Sequence, residues 1–262
     1  MTSPSAAALQ PEHIALAEAL ADEAGRVVRG YFRQPVTVDD KPDSSPVTIA
    51  DREAEAAMRR LIAARFPEHG IFGEEHGQDR ADAEFVWLLD PIDGTKSFIS
   101  GVPLFGTLIA LLHNGQPVLG IIDQPISRER WIGAAGQPST LNGAPIRTRP
   151  CAAPETATLF STTPDMFAGG DEPRFQRLRR AVKLTRYGAD CYAYGLLAAG
   201  FLDCVAEANL KPYDWSALIP VIEGAGGIVT DWQGATLGLG SDGRVVACGD
   251  RRLHEQALRL LA

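Results

Sequence analysis

Residues 73–95 constrain this chain more than any other stretch. They begin with Gly73-Glu74-Glu75, pass through a mixed loop into the apolar run of residues 84–89, and end in Asp90-Pro91-Ile92-Asp93-Gly94-Thr95. A continuous apolar run bounded by turn residues reads as a buried strand. Asp90 and Asp93 lie where that strand is expected to run out. Pro91 fixes φ and Gly94 supplies conformational freedom, so the backbone can fold back and aim both acids into one space. Carboxylates massed beside a buried strand repel one another and lose hydration. They become tolerable around a hard cation, and oxygen-only ligands favour Mg²⁺, Mn²⁺ or Ca²⁺ over zinc. A lone Asp-rich turn, however, is satisfied by local hydrogen bonds. The metal reading therefore needs further acids from elsewhere in the chain.

The bulk properties exclude several classes. A chain of 262 residues suffices for one large domain or two lobes, and 45% hydrophobic with 22% charged residues is ordinary for a folded globular protein. No apolar segment approaches membrane-spanning length, so no membrane partner is expected. Residues 1–10 have neither the basic start nor the apolar core of a signal peptide and read as a tail before the first helix. Cys151, Cys191, Cys204 and Cys248 show no metal-type spacing, which points to reduced thiols and a cytoplasmic protein. His13, His69, His76, His113 and His254 form no pair at ligand spacing, which argues against zinc. A formal net charge of -8 argues against nucleic acid as a partner. It leaves room for an anionic substrate, because bound metal can invert the local field.

Taken in order, Pro11–Tyr31 predicts an amphipathic helix with Ile14, Ala17, Ala21, Ala24 and Val28 on one stripe. Residues 36–38 suggest a short strand, and the polar, turn-rich residues 39–46 a loop able to carry a site or lid. Thr48 and Asp51 have the spacing of a capping box opening a second helix. Asn114-Gly115 between apolar runs predicts a hairpin joining residues 107–112 to 118–122. The Pro- and Thr-rich residues 147–155 make the best boundary, giving lobes 1–149 and 150–262. The second lobe alternates strands and helices: a basic helix at 173–180, a turn at Gly188-Ala189-Asp190 into a helix over 192–199, a strand ending at Glu207, and Asp214 at the start of one helix over 215–225. Two strands, at 228–231 and 245–248, and a closing helix over Arg251–Leu261 complete it.

Asp51, Glu74, Asp90, Asp93 and Asp214 thus all fall at element ends. With Thr95 they resemble the signature of the inositol monophosphatase superfamily of Mg²⁺-dependent phosphatases. The matching segments are Phe72-Gly73-Glu74-Glu75, residues 87–98 around Asp90-Pro91-Ile92-Asp93-Gly94-Thr95, and Tyr213-Asp214-Trp215 followed by Glu223-Gly224-Ala225-Gly226-Gly227. Three such motifs in this order are far more specific than any one. The resemblance implies an αβαβα layered sandwich, with the first lobe carrying most metal ligands. It implies that Glu74, Asp90, Asp93, Asp214 and the Ile92 carbonyl hold two or three Mg²⁺ ions, with Mn²⁺ an alternative. It makes Asp51, Thr95 and Glu74 the groups that activate water. The Gly94 and Thr95 amides, with Lys41 or its neighbours, would hold phosphate oxygens. A homodimer is also implied. One departure stands out: Ser97 occupies a position where many members have Asn.

Gly188-Ala189-Asp190 and Glu207 match the positions that contact the alcohol part of the substrate. Inositol-specific members carry a small neutral residue at the position of Asp190. Two carboxylates beyond the phosphate favour a leaving group bearing positive charge. The expected activity is therefore hydrolysis of the small phosphorylated substrate histidinol phosphate, in histidine biosynthesis; the run from Arg186 to Tyr194 also resembles the histidinol-phosphatase branch. Inositol 1-phosphate or a broader range of sugar phosphates is the alternative, with 3′-phosphoadenosine phosphate a third. A phosphatase of the haloacid dehalogenase type needs acids separated by one residue, whereas Asp90 and Asp93 are separated by two. A metal-bound regulator without turnover would be expected to lack one of these acids or Thr95.

Overall fold

The computed structural model describes residues 9–40 and 46–262. The expected loop at 39–46 and its Lys41 therefore lie largely outside the described residues, as does most of the expected N-terminal tail. Helix α1 (Pro11–Tyr31) forms as its periodicity predicts, with Leu16, Ala17, Leu20, Ala21, Ala24 and Val28 buried; Ile14 stands at the edge of the stripe. Strand β1 (Val38–Asp40) pairs with β2 (Pro46–Thr48), one or two residues later than the sequence suggests. Thr48 then caps α2 (Ile49–Arg65): its side chain accepts from the Ala50 amide, and Asp51 accepts from the Thr48 amide, completing the capping box.

Eight strands form the first sheet. They are β3 (Gly70–Gly73), β4 (Gly77–Asp79), β5 (Phe85–Asp93), then, after the short helix α3 (Thr95–Ile99), β6 (Gly106–His113), β7 (Gln116–Gln124), β8 (Glu129–Ala134), β9 (Thr140–Leu141) and β10 (Ala144–Pro145). Their order is β10-β9-β8-β7-β6-β5-β3-β4, with β3 and β5 parallel. The hairpin at Asn114-Gly115 is present, both residues at positive φ (50° and 76°), as a tight turn between twisted strands requires.

The second sheet, ordered β12-β11-β13-β15-β14, is built from β11 (Thr158–Ser161), β12 (Leu184–Tyr187), β13 (Cys204–Glu207), β14 (Ile228–Thr230) and β15 (Val245–Cys248). Between and around these strands run α4 (Asp171–Ala181), α5 (Asp190–Ala198), α6 (Pro212–Trp215), α7 (Leu218–Gly224) and α8 (Arg251–Leu261). The helix expected over 215–225 is two helices in the structure. Asp214 sits inside the first, where its carboxylate accepts from the Lys211 amide at 2.7 Å.

The layers follow from three apolar clusters. In one, α1 and α2 cover a face of the first sheet through Leu20, Met58, Trp87 and Leu89. In the second, α5, α6 and α7 fill the space between the two sheets through Trp131, Tyr194, Trp215 and Val221. In the third, α4 and α8 close the far face through Phe175, Leu253 and Trp232. The result is the αβαβα sandwich. Strands on both sides of the middle layer end near one another, so residues far apart in sequence can meet there.

Asp203, buried at the start of β13, shows how this fold treats a structural acid. Both its oxygens accept from Arg149 at 2.6 Å, and Oδ2 also accepts from the Thr158 amide at 2.7 Å. Burial pushes its carboxyl up, but the Arg149 and Thr158 hydrogen bonds outweigh that and hold it below the usual carboxylate range. A depressed folded-state pKa gives stability that is present above the unfolded value and lost as pH falls through the folded one. Asp203→Asn is expected to cost about 2 kcal/mol in urea denaturation at pH 7. The difference from wild type should shrink below about pH 4, the ordinary aspartate range; a cost that persists undiminished there would show that the ion pair is not its source.

Candidate active site

The site begins with an irregularity in β5. The expected strand end at Asp90 is not an end: β5 runs on to Asp93, and its register with β6 shifts between Asp90 and Asp93. Such a bulge re-aims side chains and accommodates Pro91, which cannot donate to the ladder. Thr107 Oγ1 donates to the Pro91 carbonyl at 2.8 Å and the Ile92 amide donates to Asp90 Oδ1 at 3.0 Å, which fixes the bulge. Gly94 follows at φ 94°, a conformation that disfavours a side chain, and turns the chain into α3.

Asp214 reaches the same point from the middle layer. Helix α6 packs against β5, and Tyr213 meets Phe72 of β3 edge-on, with ring centroids 5.7 Å apart. Asp90, Asp93 and Asp214 thereby each present a carboxylate oxygen within 4.8 Å of the others. Glu74 extends the ladder next to them, its amide donating to the Leu89 carbonyl at 3.1 Å. Its carboxylate lies against Asp90 and raises that group's proton affinity. Burial and neighbouring acids act in one direction here. Burial, then Glu74, Asp93 and Asp214, push Asp90 well above the carboxylate range; burial, then Asp190 and Asp214, do the same to Asp93. Asp214 is pushed up to about 7, chiefly by burial, with Glu74 and Glu207 adding to it. The contrast with Asp203 is direct: there a guanidinium answers the buried charge, here acids face acids.

Asp51 gives one oxygen to the capping role and leaves the other over. One oxygen serves the capping box, accepting from the Thr48 amide at 2.8 Å and the Thr48 hydroxyl at 2.6 Å. The other, Oδ1, is buried without a hydrogen-bond partner. Burial raises its pKa, and the Glu74 charge contributes in the same sense. Thr95 does not bond to Asp51; its hydroxyl donates to the Ile92 carbonyl at 3.2 Å. An orphaned buried carboxylate oxygen and an oxygen-only donor set both suit a hydrated hard cation.

Residues of α5 and of the second sheet close the site. The run Gly188-Ala189-Asp190 has positive φ at all three residues (74°, 142° and 47°), strain of the kind that collects at functional sites. It delivers the start of α5 to the acidic bulge, where the Cys191 amide donates to Asp93 Oδ2. Asp190 accepts from Ser97 Oγ at 3.1 Å. Glu207 is buried, accepting from the Thr162 amide at 2.7 Å and the Tyr194 hydroxyl at 2.9 Å. Burial raises the pKa of both acids. Asp93, Asp190, Glu207 and Asp214 together line a cavity of about 80 Å³. A larger cleft of about 750 Å³ between the β8–β10 edge and the end of α7 is lined mainly by Pro, Gly and Ala, and has no comparable convergence of acids.

Sequence reasoning missed the supports. Glu55, fully buried on α2, accepts from the Glu75 amide at 2.7 Å, the His76 amide at 3.1 Å and Arg59 Nε at 2.7 Å, fixing the turn that carries Glu74. A Cβ on Gly73 would run into that carboxylate. The available signal was an acid four residues after Asp51 on the apolar face of α2, where like charges oppose each other. The contacts of Thr162 and Tyr194 with Glu207 join positions distant in sequence and left no such signal.

A layered α/β fold whose middle layer meets a strand bulge in a cluster of acids defines the class: a protein with an oxygen-lined site suited to divalent metal. Comparison with known proteins gives the family. Residues 10–262 match the inositol monophosphatase family, and the chain belongs to it. It is 52% identical over 256 residues to the chloroplastic bifunctional phosphatase IMPL2 of Arabidopsis thaliana, covering 94% of this chain and 74% of that one. It is 35% identical to a histidinol-phosphatase of Mycobacterium tuberculosis, over 95% of this chain and 98% of the other. Among solved structures, an inositol monophosphatase from Zymomonas mobilis is 50% identical and superposes with a TM-score of 0.89, covering 95% of this chain and 97% of that one.

The electrostatics have a pH signature. At these acids, folded-state pKa values raised above the unfolded ones mean that the metal-free cluster holds more protons than in the unfolded chain, so the cluster's contribution to stability falls as pH rises. For Asp214 that loss spans the window from its ordinary value of 3.8 up to about 7. Measured against Asp214→Asn in a chelator, wild-type thermal stability should show this decline, and saturating Mg²⁺ should restore wild-type stability most above pH 7, by on the order of a few kcal/mol. A metal increment independent of pH would contradict the picture of repelling carboxylates.

Proposed function

We propose that this chain is a Mg²⁺-dependent phosphomonoesterase whose substrate is histidinol phosphate, released as histidinol and inorganic phosphate. The observation that carries the reading is the pair Asp190 and Glu207 on the wall of the cavity that Asp93 and Asp214 also line. Two carboxylates on the wall beside the acids suited to metal favour an alcohol bearing an ammonium and an imidazole. Relatives named histidinol-phosphatase, from Chlorobaculum parvum and Streptomyces coelicolor as well as Mycobacterium, support it at 30–37% identity. The four free, buried cysteines agree with a cytoplasmic setting.

In this reading Glu74, Asp90, Asp93 and Asp214, with the Ile92 carbonyl, hold two or three Mg²⁺ ions. Bound there, Mg²⁺ supplies a water of lowered pKa and positive charge for the phosphoryl and leaving oxygens. Asp51 Oδ1, which has no hydrogen-bond partner, would accept the proton of the attacking water; the Thr95 hydroxyl would relay it only after turning from the Ile92 carbonyl, and Glu74 would help orient that water. The Gly94 and Thr95 amides, at the start of α3 where intrahelical acceptors are lacking, receive phosphate oxygens. Placement and charge do most of the work, as phosphoryl transfer makes little covalent demand on a protein.

A second reading, inositol 1-phosphate as substrate, is favoured by one feature. Each Glu207 oxygen already accepts one hydrogen bond, from Thr162 or Tyr194, so its charge is partly answered before a ligand arrives. Kinetics separate the two. Phosphate release should require Mg²⁺, and Asp93→Asn should lower kcat/KM at least about a hundredfold. Histidinol phosphate should be preferred to inositol 1-phosphate, with Asp190→Asn raising KM for the former about tenfold, the scale of one charged hydrogen bond. Preference for inositol phosphate together with a harmless Asp190→Asn would remove the histidinol reading; full activity of Asp93→Asn would remove the site.

A further inference from the structure

Asp190 reaches the cavity wall through contacts with the acidic bulge rather than with its own lobe alone. Its carboxylate lies so close over Gly94 that a Cβ there would sit 2.9 Å from Asp190 Cγ and 2.9 Å from Oδ2. Ser97, in the third position of α3, donates its hydroxyl to the same Oδ2 at 3.1 Å. One residue further along, the Cys191 amide holds Asp93. The strained backbone of Ala189 and Asp190 is thus pinned at two adjacent points by the segment that runs from Asp93 to Ser97. Ser97 itself is not among the residues lining the cavity, whereas Asp190 is. The contact that links Ser97 to the cavity is its bond to the Asp190 carboxylate.

We propose that Ser97 is a positioning residue for substrate selection, holding the Asp190 carboxylate in the one rotamer that faces the cationic end of the substrate alcohol. The inference rests on the histidinol phosphate reading. An aspartate can swing between rotamers when nothing holds it, and a carboxylate that must be ordered on binding gives up part of its interaction with the ligand. The Ser97 bond supplies that order beforehand, and ties the substrate wall to the same turn that carries Asp93.

The test is steady-state kinetics of wild type, Ser97→Ala, Ser97→Thr, Asp190→Ala and the double variant Ser97→Ala/Asp190→Ala, each saturated with Mg²⁺, on histidinol phosphate and inositol 1-phosphate. In Ser97→Ala the ratio of kcat/KM for the two substrates should fall about tenfold, carried by KM for histidinol phosphate rather than by kcat, the scale of one hydrogen bond to a charged group. Ser97→Thr, which keeps the hydroxyl, should recover most of the ratio. In the Asp190→Ala background, removal of Ser97 should change the ratio by less than about twofold, since a residue acting through another has nothing left to act on. The inference is overturned if Ser97→Ala keeps the wild-type ratio, if it slows both substrates alike in step with a loss of thermal stability, or if its effect persists undiminished without Asp190. A wild type that shows no preference for histidinol phosphate overturns the substrate reading itself, and this inference with it; wild-type preference with an indifferent Ser97→Ala overturns the inference alone.

Discussion

Repulsion among carboxylates held away from water is the constraint on which this structure turns. Asp90, Asp93 and Asp214 approach to within 4.8 Å, with Glu74 alongside. Each neighbour makes the next harder to ionise, and burial compounds the effect. Left alone, the cluster would keep protons that an exposed aspartate sheds well below neutrality. The same chain shows the ordinary solution at Asp203, where Arg149 neutralises a buried acid. That the two arrangements coexist separates stability from function: the fold can supply a guanidinium to a buried carboxylate, and at the site it supplies more carboxylates instead.

The layered architecture is what makes such an arrangement possible. A bulge at the end of β5 aims Asp90 and Asp93, the Phe72–Tyr213 contact seats α6 and its Asp214, and Glu55 fixes the turn that carries Glu74. These supports belong to different layers, so the apolar clusters that bind the layers together also hold the acids in place. Rigid surroundings are needed because the charges would otherwise separate. The strained turn at Gly188-Ala189-Asp190 extends the logic: it brings a substrate-facing acid from the second sheet against Gly94 and Ser97 of the first lobe.

Much of this was legible in the sequence. The periodicity of α1, the capping box at Thr48 and Asp51 and the Asn114-Gly115 hairpin are local signals, and each formed as its physics dictates. The motifs around Asp90 and Asp214 carried the layered fold and the family, because their order along the chain is specific. Less legible were features set by tertiary contact. The strand at Asp90 continued through a bulge that β6 and Thr107 support, and one expected helix divided into α6 and α7 so that Asp214 lies within a separate turn. Thr95 was expected to act with Asp51, yet its hydroxyl bonds to the Ile92 carbonyl while Asp51 Oδ1 remains orphaned. Glu55 left a partial signal in its spacing from Asp51, but the contacts of Thr162 and Tyr194 with Glu207 depend on which elements neighbour one another, and no local pattern specifies that.

Diffraction from crystals soaked in Mn²⁺, collected at the manganese absorption edge, tests the central claim most directly, since manganese takes the same oxygen ligands as magnesium. The account predicts anomalous density between Asp90, Asp93 and Asp214, lost or strongly weakened in Asp214→Asn. Manganese bound only elsewhere, with the three carboxylates unchanged and close together, would mean that protons rather than metal ions reconcile these acids, and the account would be wrong.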